Sequence, residues 1–370
     1  MKNALVIVGN EINQNIYFVE YLKRELKKHL YTINGCYLID RNDSDLLLYI
    51  EDIASKYNRV LIVSKDAHHL IGKILSTITE DNLTLIDNEL IPSRYLKKER
   101  DSYLIEYKSS LINAIKVDQF EKLPKIIVDD KLKEISFILL DANSPKYNEL
   151  LLELEKIYSL KLYKSELIEG VLLIRATGFL LEQEYSFKKA LAFGFSGKIL
   201  FGDDLSSIVA SSLIKSGKKV TMMESCTGGL IASELTKHSG VSSIFDGSVV
   251  SYANEIKNRF GVSKDTLMEY GAVSLQTVNE MLDGIMNFMR SDFAIAVSGV
   301  AGPSGGSKEK PVGTVYVGAK SRDGETIIEK LSLKGDRIYI QQQSMLWAFK
   351  LLVLSNPKIF FNFSINSLDN

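Results

Sequence analysis

Lys218-Lys219-Val220-Thr221-Met222-Met223-Glu224-Ser225-Cys226-Thr227-Gly228-Gly229 runs from a strand-like stretch into a glycine turn, and residues 229 to 237 continue as a helical stretch. A strand that feeds a helix is the opening of an α/β unit. Downstream the pattern repeats: strand at 248–252, helix at 275–289, strand at 292–298, strands near 313–319 and 326–333, and a last helix from about 336 to 354. Just upstream, Asp203 and Asp204 cap a helix whose Leu205, Ile208, Val209 and Leu213 share one face and which Ser216-Gly217 ends. A domain therefore starts near residue 200 and extends to about 355.

The same reading carried to the N-terminus gives a second α/β unit. The apolar run Ala4 to Val8 stops at Gly9, residues 16–30 follow as a helix, and strand signals at 35–39 and 59–64 flank a helical stretch at 44–56. Buried strands alternating with helices predict a parallel, helix-covered sheet over residues 1–130. Between these units, a strand at 135–140, Ser144-Pro145 as a helix start, a helix at 146–158 and strands near 161–165 and 170–176 make a small α+β domain, 134–195. The Asn-rich C-terminal tail is expected to fray. The fold class is thus a multidomain α/β protein.

Composition narrows the function classes. With 370 residues, 45% hydrophobic and 25% charged, the chain has the balance of a folded protein of two or three domains. Lys plus Arg (45) nearly cancels Asp plus Glu (46), so there is no basic field to hold nucleic acid. Cys36 and Cys226 are the only cysteines, which excludes a disulfide framework and a Cys-rich metal site. The apolar runs are too short to span a membrane, so a cytoplasmic location is expected.

The chemistry concentrates at Glu224 to Gly229. Glycines let backbone approach a ligand, and the free N–H groups of a helix start bind an anion or stabilise an oxyanion. Taken alone, the hexapeptide fits two readings: Ser225 as a nucleophile, or Ser225 and Thr227 as caps on a tight turn. Ser251-Tyr252-Ala253-Asn254-Glu255-Ile256-Lys257 adds a lysine in the first turn of a helix that Asn254 is suited to cap. The helix dipole disfavours an ammonium there, and a neutral lysine is a base. Ser225, Lys257 and a bridging Tyr252 would together make an activated hydroxyl without histidine; the other reading of the same residues is a solvated surface lysine and a core tyrosine. A third element, Ser298-Gly299-Val300-Ala301-Gly302-Pro303-Ser304-Gly305-Gly306, could cradle a phosphate through its backbone, or be a plain surface loop. The four histidines (His29, His68, His69 and His238) suit neither a Ser-His-Asp triad nor a metal site, and no metal or other cofactor is expected.

Glu224 to Gly229, Gly271-Ala272-Val273-Ser274, the Ser298 to Gly306 loop and Lys310-Pro311-Val312-Gly313-Thr314-Val315 together resemble the C-terminal domain of the CinA family, over residues 200–355. The resemblance implies a nicotinamide-nucleotide amidase that converts nicotinamide mononucleotide (NMN) to nicotinic acid mononucleotide and ammonia. Its catalytic Ser, Tyr and Lys map onto Ser225, Tyr252 and Lys257, and a further active-site Ser onto Ser243. Thr227, Gly228, Gly229, Asn254, Ser298, Gly299, Gly302, Gly305 and Gly306 are expected to bind the nucleotide, and a homodimer is expected. Gln341 stands where the family commonly has Arg, and Thr221-Met222-Met223 where it has Thr-Ala. The N-terminal domain resembles the molybdopterin-binding-like domain of full-length CinA proteins, which is linked to ADP-ribose pyrophosphatase activity, through Val8-Gly9-Asn10-Glu11 and Ser102-Tyr103-Leu104-Ile105-Glu106. The family's Gly-rich loop is replaced by Ser64-Lys65-Asp66-Ala67-His68-His69, and its Pro-Gly turn by Lys116-Val117-Asp118-Gln119. The domain is therefore expected to keep the fold and to have lost the hydrolase activity. Against the amidase stand a non-catalytic nucleotide-binding protein and a retained pyrophosphatase.

Overall fold

The apolar run at the N-terminus becomes strand β1 (Asn3–Val8), every residue of which is buried. The computed structural model describes residues 2–30, 32–127, 133–141, 144–179 and 181–366, and the chain divides into two compact units, 1–134 and 135–370. In the first unit β1 is followed by β2 (Gly35–Ile39), β3 (Arg59–Ser64), a small hairpin of β4 (Leu83–Ile86) and β5 (Glu89–Pro92), then β6 (Lys97–Glu99), β7 (Ser102–Tyr107) and β8 (Ser110–Lys116). The six-stranded sheet has the order β2-β1-β3-β8-β7-β6; β2, β1, β3 and β8 are parallel, and β7 and β6 run antiparallel at the edge. Strand side chains alternate between faces. Ala4, Val6 and Val8 accordingly share a cluster with Ile50 and Ile71 of the helices Leu46–Lys56 and His68–Ile78, while Leu5 and Ile7 pack with Leu22 of the helix Ile16–Leu30.

The second unit carries two sheets. β9 (Lys133–Leu140), β10 (Lys161–Ile168), β11 (Val171–Phe179) and β12 (Ile199–Phe201) form a four-stranded sheet of order β10-β11-β9-β12. Its helix Pro145–Ile157 begins with Pro145 in the first turn after Ser144, where a missing N–H costs nothing. A second helix, Glu184–Gly194, and β12 go beyond what the sequence pattern indicates. β13 (Val220–Glu224), β14 (Ser248–Val250), β15 (Phe293–Gly299), β16 (Thr314–Ser321) and β17 (Thr326–Ser332) form a five-stranded sheet of order β14-β13-β15-β16-β17. β14, β13 and β15 are parallel and the last two strands antiparallel.

Both faces of that sheet are covered. Val220, Met222, Phe293, Ile295 and Val297 share a core with Val209 and Leu213 of the helix Leu205–Ser216 and with Phe349 and Leu352 of the helix Arg337–Ser355. On the opposite face Met223, Ala294 and Ala296 pack on Val278, Leu282 and Ile285 of the helix Leu275–Met289. Asp204 caps its helix by accepting from the Ser206 N–H at 3.0 Å, and Gly217 closes it in the left-handed region, φ 64°. Ile138, Leu140, Ile168, Val171 and Leu173 of the four-stranded sheet belong to the same buried cluster as Leu205 and Phe349.

The C-terminal tail departs from expectation. Residues Pro357–Asn366 are helical, and Phe360 is buried against Phe293 with ring centroids 5.8 Å apart. Two adjacent phenylalanines supply enough apolar area to dock a segment whose asparagines read as frayed. The last four residues lie outside those described. No helix among the described residues is long and apolar enough to cross a membrane.

Candidate active site

The chain runs from β13 to β14 on one side and then returns to β15 on the other, so the carboxyl ends of β13 and β15 flank a topological switch point. The turn after β13 and the loop after β15 both leave from that edge. Ser225 prolongs the strand by one residue: its N–H donates to the Val297 carbonyl at 2.9 Å. Gly228 and Gly229 then take φ values of 63° and 96°, a region that L side chains rarely enter, and this bends the chain into the helix Leu230–Leu235. Beneath the turn lies Glu224, fully buried. Its carboxylate accepts from the N–H groups of Gly229 (3.1 Å), Ile231 (3.1 Å) and Ala232 (3.0 Å). Three donors of the helix start are thereby satisfied by one side chain, and the turn is tied to the strand that precedes it.

Ser225 is 8% exposed and Lys257 only 1%. The Lys257 Nζ donates to the Ser225 Oγ at 3.0 Å, to the Ser251 carbonyl, and at 3.4 Å to the Tyr252 carbonyl. Ser251 is itself anchored, its N–H donating to the Glu224 carbonyl at 2.7 Å. Burial pulls the Lys257 pKa down to about 8. The cause differs from the sequence expectation. Asn254 does not cap: it is the first residue of the helix Asn254–Arg259, Ala253 occupies the cap position, and the side chain of Asn254 is exposed. Lys257 belongs to the last turn of a six-residue helix, so desolvation and not a helix dipole disfavours its charge.

Tyr252 also differs. Its ring is 61% exposed and its hydroxyl accepts from Arg337 Nη2 at 3.0 Å, so among the described residues it bridges neither Ser225 nor Lys257 through that oxygen. Arg337 Nη1 donates in turn to the Gly302 carbonyl at 2.7 Å, joining the tyrosine to the glycine loop. One turn along the same helix, Gln341 Nε2 donates to the Cys226 carbonyl at 2.7 Å. Residues four apart lie on one helix face, and Asp336 fixes that helix by accepting from the Tyr339 N–H at 2.8 Å. In the sequence Glu224 stands in the motif without a role of its own, and Arg337 is not singled out. A carboxylate directly before a glycine turn, and an Arg/Gln pair spaced by four after a capping Asp, are the signals that carry them.

The remaining expected residues divide. Thr227 is buried, and its Oγ1 has no hydrogen-bond partner among the described residues. Ser298 is buried and donates to the Ala272 carbonyl at 2.6 Å, a structural bond within the loop framework. The loop after Gly299 is held by the Val300 N–H on the Thr314 carbonyl (2.9 Å), and within it only Gly302 is bonded to Arg337. Among the described residues no hydrogen bond joins Gly305, Gly306 or Ser243 to Ser225, Lys257 or Tyr252. Ser243 is exposed and donates to the Gly240 carbonyl at 2.8 Å.

Cys226 is buried, and burial pushes its thiol up to about 12, leaving it protonated and unreactive at neutral pH. His238 bonds to the Ser206 Oγ at 2.7 Å, away from Ser225. No cluster of three His, Cys, Asp or Glu residues suited to a metal ion occurs among the described residues. What the arrangement offers is a hydroxyl in contact with an amine whose pKa burial lowers to about 8, at the edge where an α/β sheet takes its ligands.

Residues 202–355 match the CinA C-terminal domain family. A CinA-like protein of Thermosipho melanesiensis is 46% identical over 37% of this chain and 34% of its own length, so this match spans about a third of that relative. A CinA-like protein of Fervidobacterium nodosum is 28% identical over 95% of this chain and 98% of its own. Among solved structures, the competence/damage inducible protein CihA of Agrobacterium tumefaciens is 38% identical, over 41% of this chain and 93% of that one, with a TM-score of 0.40.

Proposed function

Residues 202–355 belong to the CinA C-terminal domain family, and we propose that the second unit, which contains them, is an amidohydrolase that converts nicotinamide mononucleotide to nicotinic acid mononucleotide and ammonia. The observation that carries the reading is the 3.0 Å contact from Lys257 Nζ to Ser225 Oγ between two buried side chains. With its pKa near 8, a substantial share of Lys257 is neutral at physiological pH and can accept the hydroxyl proton. Ser225 Oγ then bonds to the carboxamide carbon. The C–N bond breaks as Lys257 returns the proton to the departing nitrogen, which leaves as ammonia. Water, deprotonated by the same amine, cleaves the resulting ester, and the proton goes back to Ser225.

Developing negative charge on the amide oxygen needs donors. The Thr227 N–H, which has no protein acceptor among the described residues, is available beside the nucleophile, and so is its unpartnered hydroxyl. Tyr252 and Arg337, joined to each other at the exposed rim, are assigned to the nucleotide and not to proton relay.

For the first unit the reading is a fold without its hydrolase. Ser64-Lys65-Asp66-Ala67-His68-His69 carries no glycine where the resemblance expects a glycine-rich loop, so its backbone cannot close around a pyrophosphate in that manner. The test of the amidase is release of ammonia and nicotinic acid mononucleotide from NMN by the full chain, with NAD and nicotinamide as controls. Turnover of NMN supports the assignment, and turnover of none, or of nicotinamide alone, contradicts it.

A further inference from the structure

Away from Ser225, a cavity of about 870 Å³ opens between the β10–β11 turn, β17 and the helix Arg337–Ser355. Its inner wall carries Leu331, Leu333, Leu351 and the Trp347 ring, and the first three of these are buried. Lys350 lines the same wall and is 7% exposed. Its Nζ donates to the Glu169 carbonyl at 3.0 Å and lies 4.0 Å from the centroid of the Trp347 ring. An ammonium has three donors, yet no second acceptor meets this one among the described residues, and no carboxylate forms an ion pair with it.

Asp141, Glu169 and Glu329 line the cavity from exposed positions and act on Lys350 only through charge at a distance; Asp141 is already paired with Lys198. Burial lowers the pKa of Lys350. A buried ammonium with spare donors is costly unless an anion reaches it. Gly170, in the left-handed region at φ 72°, makes the turn that lies beside that nitrogen.

From this we infer that the cavity is a second ligand site, which takes a small carboxylate on an apolar body, with the carboxylate on Lys350 and the body against Trp347 and the leucines. A bare phosphate would satisfy the ammonium and leave the apolar wall uncovered, whereas a neutral molecule of the same shape would cover the wall and leave the ammonium unmet. The rim mixes the carboxylates Asp141, Glu169 and Glu329 with the exposed Lys330 and Lys334, so it adds little net attraction, and the apolar contact has to add to the charge contact for binding to persist at physiological salt. The inference does not rest on the amidase reading, because none of these residues is bonded around Ser225.

Trp347 is the only tryptophan in the chain, so its emission reports this cavity alone. The experiment titrates the full-length protein with benzoate, benzamide and inorganic phosphate at neutral pH, and repeats the benzoate titration on Lys350→Met. A saturable change in emission with benzoate is expected, with affinity at least about tenfold above that for benzamide or phosphate and lowered at least about tenfold in Lys350→Met. Equal binding of benzoate and benzamide, stronger binding of phosphate, an unchanged titration in a folded Lys350→Met, or no saturation by benzoate would overturn the inference. If Lys350→Met does not fold, the benzoate and benzamide comparison on the unaltered chain decides.

Discussion

A lysine sealed from water loses the hydration that holds its proton, and Lys257 is sealed while its nitrogen touches the hydroxyl it is proposed to activate. The base must be neutral, so kcat/KM for NMN is expected to rise with pH through about 8 and to level off above it. Lys257→Arg keeps a fixed cation with no accessible neutral form and should lose activity by about 10³-fold or more. A pH-independent rate, or an active arginine variant, would mean that the residue only attracts the phosphate. Cys226→Ala should retain most activity, since that thiol stays protonated. In the first unit, burial lowers the pKa of His68 to about 4; Lys116, Lys98 and His69 add to the shift and Asp101 opposes it. The folded state favours the neutral ring, so this contribution is complete above the unfolded value near 6.5 and is lost as pH falls toward 4. Urea unfolding of that unit should weaken by about 3 kcal/mol over this window. His68→Phe should flatten the loss, and an equal loss in the variant would assign it to other groups.

Glu224 shows how one side chain can shape an element. It collects three N–H groups of the helix Leu230–Leu235 and so sets the turn that presents Ser225. Glu224→Ala leaves the buried Ile231 N–H and the half-buried N–H groups of Gly229 and Ala232 without that acceptor, and should cost about 2–4 kcal/mol in chemical unfolding together with most of the amidase activity. Asp204→Ala, which loses the cap bond from the Ser206 N–H together with that carboxylate's contacts to the Ser206 hydroxyl and His238, should cost about 1–2 kcal/mol and leave activity near normal. The elements most legible in the sequence are those with strong local signals. Gly35–Ile39, Arg59–Ser64 and the helix Leu275–Met289 stand where the apolar pattern places them, and Gly217 ends its helix as expected. Less legible are the short strand Ile199–Phe201 and the helix Glu184–Gly194, whose periodicity is weak, and the final helix, which is held by Phe360 docking on Phe293. The site divides in the same way. Ser225 and Lys257 lie in motifs that the local sequence marks as candidates, whereas the partner of the Tyr252 hydroxyl arrives from 85 residues further along and no local pattern announces it.

At the scale of the molecule, the two units have separate cores, and the second contains every residue of the proposed reaction. A segment of residues 135–370 should fold and release ammonia from NMN. A segment beginning near 198 should do the same with its melting temperature lower by roughly 5–10 °C, because it lacks Ile138, Leu140, Ile168, Val171 and Leu173 from the shared core. Equal melting temperatures would show that the four-stranded sheet adds nothing to that core. Residues 1–134 should not turn over ADP-ribose with or without added divalent metal, and clear cleavage would overturn the reading of a fold without its hydrolase. The central claim, a serine nucleophile served by a buried lysine, is tested most directly by ammonia release from NMN by full-length protein compared with Ser225→Ala. The account predicts turnover by the first and none detectable by the second, with an unchanged unfolding transition. A Ser225→Ala protein that still releases ammonia at the original rate would contradict it.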